Sequence, residues 1–349
     1  MGQAGRILDE TEGTVYNVFP GGRPRGRSIG REALHTDNLI FSLNATVPVF
    51  LLMVLGYLLH GKKWLLDTGF ADKMNTFVFE LALPVQIFES LITADFREVW
   101  DGGAVLFCLV VTALSILIMM GLALTRKKPL RAEFIQAGYR SSQALLGAAL
   151  MQNLYGHNGP LALIIIGSVP LYNAAAVLLL TLLSPTGGRL DRAAVGRALG
   201  GIARNPIILA IAAGAVWSVL EIPMPAMLGR AVASLGATAT PLGLLALGAS
   251  IDLKKAAALW RPTLTCSLFK LVLFAAMFLP AAIFLGYRGE LLVAILVMLG
   301  SPTTVSSFTM ARSMGHDGTL SAGAVMMTTV CSAFTFTLWL YLLRVLGFI

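Results

Sequence analysis

The chain has 349 residues, of which 56% are hydrophobic and 13% are charged, and its formal net charge at pH 7 is +8. Its apolar residues occur in long blocks instead of the narrow stripes of soluble helices, which excludes an ordinary soluble domain and predicts an all-α integral membrane protein. The basic charge does not indicate nucleic-acid binding, because the lysines and arginines are concentrated on one side of the predicted membrane topology.

Residues 1–38 form a polar segment in which five arginines are balanced by five acidic residues. Its low hydrophobicity predicts a disordered, roughly neutral tail. No short apolar stretch with a small-residue cleavage site precedes the first apolar block, so we expect no removable signal peptide.

Ten apolar segments follow, each near the ~20 residues that cross the hydrocarbon core of a bilayer. They are 39–60, 74–94, 104–124, 134–155, 160–183, 205–221, 225–250, 263–286, 290–311 and 320–346. The connections between them are too short for a soluble catalytic domain. We therefore expect the function to lie within the membrane.

Basic residues are concentrated in the connections that follow odd-numbered segments. They are Lys62, Lys63 and Lys73, then Arg126, Lys127, Lys128 and Arg131, then Arg189, Arg192, Arg197 and Arg204, and finally Lys254, Lys255 and Arg261. By the positive-inside rule these connections are cytoplasmic, and both termini lie on the non-cytoplasmic side of the cell (inner) membrane. Residues 184–204 are then a basic cytoplasmic linker between two halves, 39–183 and 205–349.

The two halves resemble each other at an offset near 158 residues. Pro48 to Gly56 matches Pro206 to Gly214, and residues 156–159 match residues 315–318. Each half contains five segments, an odd number, so the second half must cross the membrane in the opposite sense to the first. Inverted repeats of this kind are associated with alternating-access transporters.

The ninth segment is interrupted at Ser301-Pro302-Thr303-Thr304, since proline cannot donate a backbone hydrogen bond. An opened backbone inside a bilayer is tolerated only where protein or a water-filled cavity satisfies it, so the freed groups could bind a solute. A kink used only for packing is the alternative. The repeat places residues 142–145 under this stretch, so the fourth segment is also predicted to be discontinuous and to cross the ninth near the midplane.

Neutral polar residues beside the two predicted breaks are the candidate substrate-binding groups, because half-helix N-termini with neutral donors suit an anion. They are Ser141, Ser142, Gln143, Ser301, Pro302, Thr303 and Thr304, with Asn173 of the fifth segment facing them. Interhelical hydrogen bonding is the alternative role for each.

Four charged residues also lie within the predicted segments. Lys270 and Arg140 are close to cytoplasmic ends, where their side chains are expected to reach the interface along their apolar stems. Glu80 and Glu89 flank Pro84, and either could carry a coupling proton. Glu80 and Lys270 are the candidates for ion coupling or for a functional charge.

The sequence has no cluster of His, Asp and Glu at metal-ligand spacing and no Gly-rich phosphate loop, so we expect neither a metal nor a cofactor. An ATP-driven pump is disfavoured for the same reason. The polar residues also lack the paired nucleophile and base that an intramembrane enzyme needs. Cys108, Cys266 and Cys331 fall in apolar segments and resemble small core residues.

Three stretches, in order, resemble the auxin efflux carrier family of bacterial permeases: 204–209, 241–250 and 301–312. The resemblance covers residue 39 to the end and implies a scaffold made of the first two helices of each repeat. It further implies a mobile transport unit made of the other three, a site where the fourth and ninth helices cross, and a homodimer through the scaffold helices. Members are similar to plant auxin exporters and to malate or malonate permeases, which implies an organic anion as substrate. Ser141, Ser142 and Gln143 stand where the family carries its crossover proline and an often-seen asparagine.

The sequence therefore predicts a secondary active transporter that moves a small organic anion, with H⁺ or Na⁺ as candidate coupling ions. A sodium/bile-acid-type symporter or a cation/proton antiporter of the same architecture is one alternative, although an antiporter is expected to carry acidic residues beside the breaks. A membrane sensor that binds without transport is the alternative from another class, and a long soluble signalling domain would favour it.

Overall fold

The computed structural model describes residues 5–9, 14–18, 25–28, 47–48, 51–60, 66–93, 101–143, 147–155, 159–184, 200, 204–250 and 252–349. From residue 47 onward, every regular element in these ranges is helical. Five helices are long and apolar enough to cross a membrane, namely Gly102–Ala123, Leu163–Leu182, Ala226–Ser250, Trp260–Phe284 and Thr319–Val345. The chain is a multi-pass α-helical membrane protein; the ten crossings and the inverted repeat remain predictions.

The first half of the chain contributes seven described helices. They are α1 (Leu51–His60), α2 (Thr68–Phe77), α3 (Leu83–Ile92), α4 (Gly102–Ala123), α5 (Arg131–Tyr139), α6 (Ala148–Tyr155) and α7 (Gly159–Leu182). A π-helical turn, Val78–Ala82, joins α2 to α3. The helix α4 begins at Asp101, whose carboxylate accepts hydrogen bonds from the amides of Gly103 and Ala104 and so satisfies two N-terminal donors.

The second half contributes nine described helices. They are α8 (Pro206–Val219), α9 (Ala226–Ala237), α10 (Ala239–Ser250), α11 (Leu253–Ala258), α12 (Trp260–Leu268), α13 (Phe274–Phe284), α14 (Gly289–Gly300), α15 (Ser306–Ser313) and α16 (Thr319–Val345). A π-helical turn, Phe269–Leu273, joins α12 to α13. The side chain of Asn205 caps α8, and Pro206 at its first position needs no hydrogen-bond acceptor.

The predicted fourth and ninth segments each contain two short helices, and in both the chain leaves the first of these helices in an extended conformation. After α5 the chain turns extended at Arg140 (φ −72°, ψ 141°), and after α14 it does so at Ser301 (φ −71°, ψ 154°). Both predicted interruptions are therefore present, although only the second contains a proline. Residues 144–146, between the first break and α6, lie outside the described residues.

The helices pack most extensively within two groups. The first helix group consists of α1, α2, α3, α8, α9 and α10, and the second consists of α4, α5, α7, α12, α13, α14 and α16. The helix α14 lies at the centre of the second group, where residues 292–300 are all buried. The helix α15 contacts members of both groups. This division matches the scaffold and transport unit that the family resemblance implies.

The N-terminal segment differs from the expected disordered tail because it contains three short strands. They are β1 (Gly5–Asp9), β2 (Thr14–Val18) and β3 (Arg25–Ser28), which form one antiparallel sheet in the order β1-β2-β3. Ile7 pairs with Tyr16, and Val15 with Arg27. The prediction of disorder rests on the average composition of residues 1–38, which does not show that short runs within this segment contain β-forming residues. Most of the predicted linker, 185–199 and 201–203, lies outside the described residues.

Candidate functional site

The two extended segments meet directly. The amide of Ser142 donates a hydrogen bond to the carbonyl of Pro302 at 2.9 Å, which joins the break after α5 to the break after α14. A backbone contact of this kind is possible only because neither residue is part of a regular helix. The fourth and ninth segments therefore cross at their interruptions, as the sequence predicts.

Side chains replace the hydrogen-bond donors that the ninth segment loses at its break. In a continuous helix the carbonyl of Met298 would accept from residue 302, but Pro302 has no N–H. The hydroxyl of Ser141 and the ammonium of Lys270 donate to it instead, the latter at 3.0 Å. The ammonium of Lys270 also donates to the carbonyl of Leu299 at 2.7 Å. The opened backbone is satisfied inside the protein, as a membrane interior requires.

Thr303 fixes the same break to two neighbouring helices. Its amide donates to the hydroxyl of Thr328 on α16 at 3.0 Å, and its own hydroxyl donates to the carbonyl of Ala137 on α5 at 2.7 Å. Thr303 is 2% exposed. Its hydrogen-bonding capacity is therefore used within the crossing.

Arg140 is the only cation on the cavity beside the crossing among the described lining residues, and it is 1% exposed. Its Nη2 donates to Oδ1 of Asn173 and to Oγ of Ser306, both at 2.7 Å. The guanidinium carbon lies 5.3 Å from the centroid of the Tyr172 ring. The remaining contacts, to Gln136 and to the sulfur of Met310, are also neutral, and Nε has no partner in the described structure. A buried cation with only neutral partners favours the binding of an anion.

The cavity has a volume of about 70 Å³ and lies between the two helix groups. The first group contributes Leu83, Gln86, Ile87 and Thr240, and the second contributes Arg140, Ser141, Ser142, Gln143, Ile165, Val169, Tyr172 and Asn173, with Thr304 and Ser306 from the start of α15 and the break before it. No acidic side chain is among these described residues. The surface of the cavity is therefore cationic and rich in neutral donors.

Gln143 provides a second unused donor on this cavity. Its Oε1 lies 2.9 Å from the hydroxyl of Ser168 on α7, which also contacts the carbonyl of Ile164 at 2.6 Å, while its Nε2 has no partner in the described structure. Gln143 is 1% exposed. Burying an amide N–H without an acceptor costs free energy. Binding of a carboxylate whose oxygen accepts from Nε2 would remove this cost.

The structure divides the predicted substrate-binding residues into two sets. Ser141, Ser142, Gln143, Asn173 and Thr304 line the cavity together. The other three, Ser301, Pro302 and Thr303, are buried within the crossing and are not among the lining residues. Glu80 is exposed in the π-helical turn before α3 and also lies off this cavity.

The expectation that Arg140 and Lys270 extend to the cytoplasmic interface is wrong. Both side chains are 1% exposed and point into the protein. The reason is that the interrupted helices supply carbonyls, hydroxyls and amides at this depth, so the cations find partners without reaching water. The position of Arg140 directly before the polar run Ser141–Gln143 was the available signal in the sequence.

Sequence reasoning also missed several residues whose positions depend on the packing of distant helices. Tyr172 and Ser168 contact the candidate site from α7, where they lie among residues that are ordinary for a membrane helix, and Ser306 contacts it from the stretch just beyond the predicted break. Glu133 is a further example, since its buried carboxylate accepts hydrogen bonds from the amides of Gly318 and Ser321 at the start of α16.

Two interrupted helices that cross beside a buried cavity, within a bundle of apolar helices, are typical of membrane transporters. The chain belongs to the family described as membrane transport protein, the auxin efflux carrier family that its sequence resembles, because the family model matches residues 41–194 and 192–340. A protein of Rhizobium meliloti (strain 1021) with the name "Putative malonate transporter" is 26% identical in an alignment of 315 residues that covers 85% of this chain and 94% of that protein. The chain is thus a transporter and not an enzyme.

Proposed function

We propose that this protein is a secondary transporter that carries a short organic anion, such as a dicarboxylate of the size of malonate, across the cell membrane by alternating access. The buried guanidinium of Arg140, which lines a cavity and has only neutral partners in the described structure, is the observation that carries the proposal. The name of the relative from Rhizobium meliloti supports the choice of a dicarboxylate.

A carboxylate would complete the hydrogen bonding of the cavity. Among the described residues the Nε–H of Arg140 and the Nε2 of Gln143 have no acceptors, and both residues line the cavity. Charge-assisted hydrogen bonds from a guanidinium are about twice as strong as neutral ones, and the planar fork matches the shape of a carboxylate. The absence of acidic side chains among the described lining residues does not favour a cation/proton antiporter.

The position of the cavity supports alternating access. Its wall comes partly from α3 and α10 of the first helix group and partly from α7 and the break after α5, in the second group. If the second group shifts against the first, the same residues can face one side of the membrane and then the other. Arg140 and Gln143 would move with the second group and carry the anion with them.

Uptake into proteoliposomes tests the proposal. We expect saturable uptake of one member of a radiolabelled panel of malonate, malate, succinate, acetate and indole-3-acetate. Arg140→Gln should lower kcat/KM by about ten- to a hundredfold, as expected for the loss of a hydrogen bond to a charged group. Arg261→Gln is the matched control, because Arg261 is exposed beside Trp260 and away from the cavity.

Two results would contradict the proposal. Binding of an anion without flux, measured by calorimetry on the purified protein, would indicate a sensor. Flux that does not change in Arg140→Gln would place the substrate elsewhere than at the crossing.

A further inference from the structure

Lys270 binds the carbonyl end of α14 in a second, smaller pocket. Its side chain comes from the π-helical turn Phe269–Leu273 and is 1% exposed. Its ammonium donates to the carbonyls of Met298 and Leu299 at 3.0 and 2.7 Å. Among the described residues this ammonium forms no ion pair, so its charge interacts with backbone carbonyls instead of with a carboxylate.

The two carbonyls are those that the break leaves without helical donors. Met298 would pair with residue 302, a proline, and Leu299 would pair with the amide of Thr303, which donates to Thr328 instead. The carbonyl end of a helix carries a negative partial charge. Interrupted helices in transporters use this combination of unwound carbonyls and a helix C-terminus to coordinate a monovalent cation.

The surroundings of the ammonium also offer oxygen ligands. Thr112 and Ser115 of α4 line the small pocket of about 10 Å³ beside Lys270. Gln143 and Tyr172 line both this pocket and the larger cavity that contains Arg140. The ammonium therefore lies directly behind the proposed anion site.

We propose that the ammonium of Lys270 takes the place of a coupling cation, so that anion transport needs no Na⁺, and that Lys270→Ala turns this position into a site for Na⁺ or Li⁺. The transport part of this inference rests on the proposed function, while the cation-site part does not. Without the ammonium, the carbonyl of Leu299 would be buried with no donor among the described residues, and that of Met298 would keep only the hydroxyl of Ser141. A small cation could bind the two carbonyls beside the hydroxyls of Thr112 and Ser115. If Lys270 only capped α14, the stability and the transport activity of the Lys270→Ala protein would not depend on Na⁺ or Li⁺.

Thermal unfolding in detergent tests the cation site without any need for transport. At fixed ionic strength, the melting temperature of the wild type should be the same in NaCl, LiCl and choline chloride. That of Lys270→Ala should rise by several degrees in NaCl or LiCl, with saturation, because ligands that bind the folded state stabilise it. Lys270→Met fills the space without a charge and should be less stable in every salt, and Lys255→Ala, at an exposed position, should behave as wild type.

Uptake measurements then test the consequence for transport. Wild-type uptake should be equal in Na⁺ and choline, whereas Lys270→Ala should need Na⁺ or Li⁺ for uptake, with an increase of at least tenfold. Stabilisation of the wild type by Na⁺, or a Lys270→Ala protein that responds to no cation, would overturn the proposal. Lys270→Ser is the second variant, and failure of both to fold in Na⁺ would also count against it, since the cation should replace the ammonium. A cation response in melting, with no anion flux from any protein, would contradict only the proposed function.

Discussion

Arg140 makes the candidate site cationic, and its effect should depend on shape as well as on charge. The guanidinium donates to Asn173 and Ser306 with one nitrogen and keeps Nε for a ligand. A lysine has the same charge but presents a compact ammonium that cannot make this set of contacts. We expect Arg140→Lys to raise KM by about tenfold while saturable uptake persists, in contrast to Arg140→Gln. An equal loss of uptake in Arg140→Lys and Arg140→Gln would mean that the shape of the guanidinium alone determines transport. Full uptake by Arg140→Lys would mean that only the positive charge matters.

Ser168 orients Gln143 without lining the cavity that contains Arg140. Its hydroxyl lies 2.9 Å from Oε1 of Gln143 and 2.6 Å from the carbonyl of Ile164, and Nε2 of Gln143 has no partner in the described structure and is available to an anion. Ser168→Ala removes a buried hydrogen bond of about 1 kcal/mol, so KM should rise by roughly fivefold to tenfold with kcat unchanged. Thr181→Val is the matched control on the same helix, because in the part of the chain that the structure describes the hydroxyl of Thr181 bonds to the carbonyl of Val177 and to no other group. An equal rise of KM in the control would show that any lost hydroxyl on α7 has this effect.

At the scale of single elements, the carboxylate of Glu133 stabilises the start of a helix that is distant in the sequence. It is 1% exposed and accepts from the amides of Gly318 and Ser321 at 2.9 and 3.0 Å, so it caps α16 from α5. Glu133→Ala would leave two buried amides without acceptors, and we expect the free energy of unfolding to fall by about 3 kcal/mol. Asp101→Ala removes a cap from α4 where one of the two capped residues, Gly103, is exposed, and it should cost only about 1 kcal/mol. Thermal unfolding of both variants, with Glu133→Gln as an intermediate case, checks the order.

The contact between α1 and α10 depends on the absence of a side chain at one position. A Cβ atom at Gly248 would lie 2.0 Å from the carbonyl oxygen of Met53, which is backbone and cannot move aside cheaply. Close approach of helices through small residues is common in membrane proteins. Gly248→Ala should therefore lower the melting temperature and reduce the yield of folded protein. Gly121→Ala should be neutral or slightly stabilising, because nothing lies within 4 Å of its added Cβ. A neutral result at Gly248 would show that the two helices can separate without cost.

At the scale of the whole molecule, the sequence predicts elements better than it predicts contacts between them. The break at Pro302 follows from one residue, and the break after α5 follows from the internal repeat, even though no proline marks it. The same reasoning predicts that one cavity is lined by Ser141, Ser142 and Gln143.

The wrong predictions are those that place a charged side chain by its depth in a single helix. Depth alone places Arg140 and Lys270 near the interface, because it does not show that a second interrupted helix supplies partners for them. Likewise, Leu83 and Thr240 reach the cavity only through the packing of the first helix group against the second. Such contacts join residues more than fifty positions apart, and no local pattern encodes them.

The inverted repeat itself makes a prediction about the two sides of the membrane. If the halves are related by inversion, the connection after the third segment and the connection after the eighth are equivalent in the repeat and must lie on opposite sides. Lys127 and Arg288 are exposed in these two connections. In a Cys331→Ser background, where the remaining cysteines are buried, a membrane-impermeant maleimide should label Arg288→Cys in intact cells and Lys127→Cys only after permeabilisation. Labelling of both from the same side would mean that the two halves run in the same direction. The crossing of the fourth and ninth segments would then need an explanation other than inversion, although the cavity around Arg140 would stay the same.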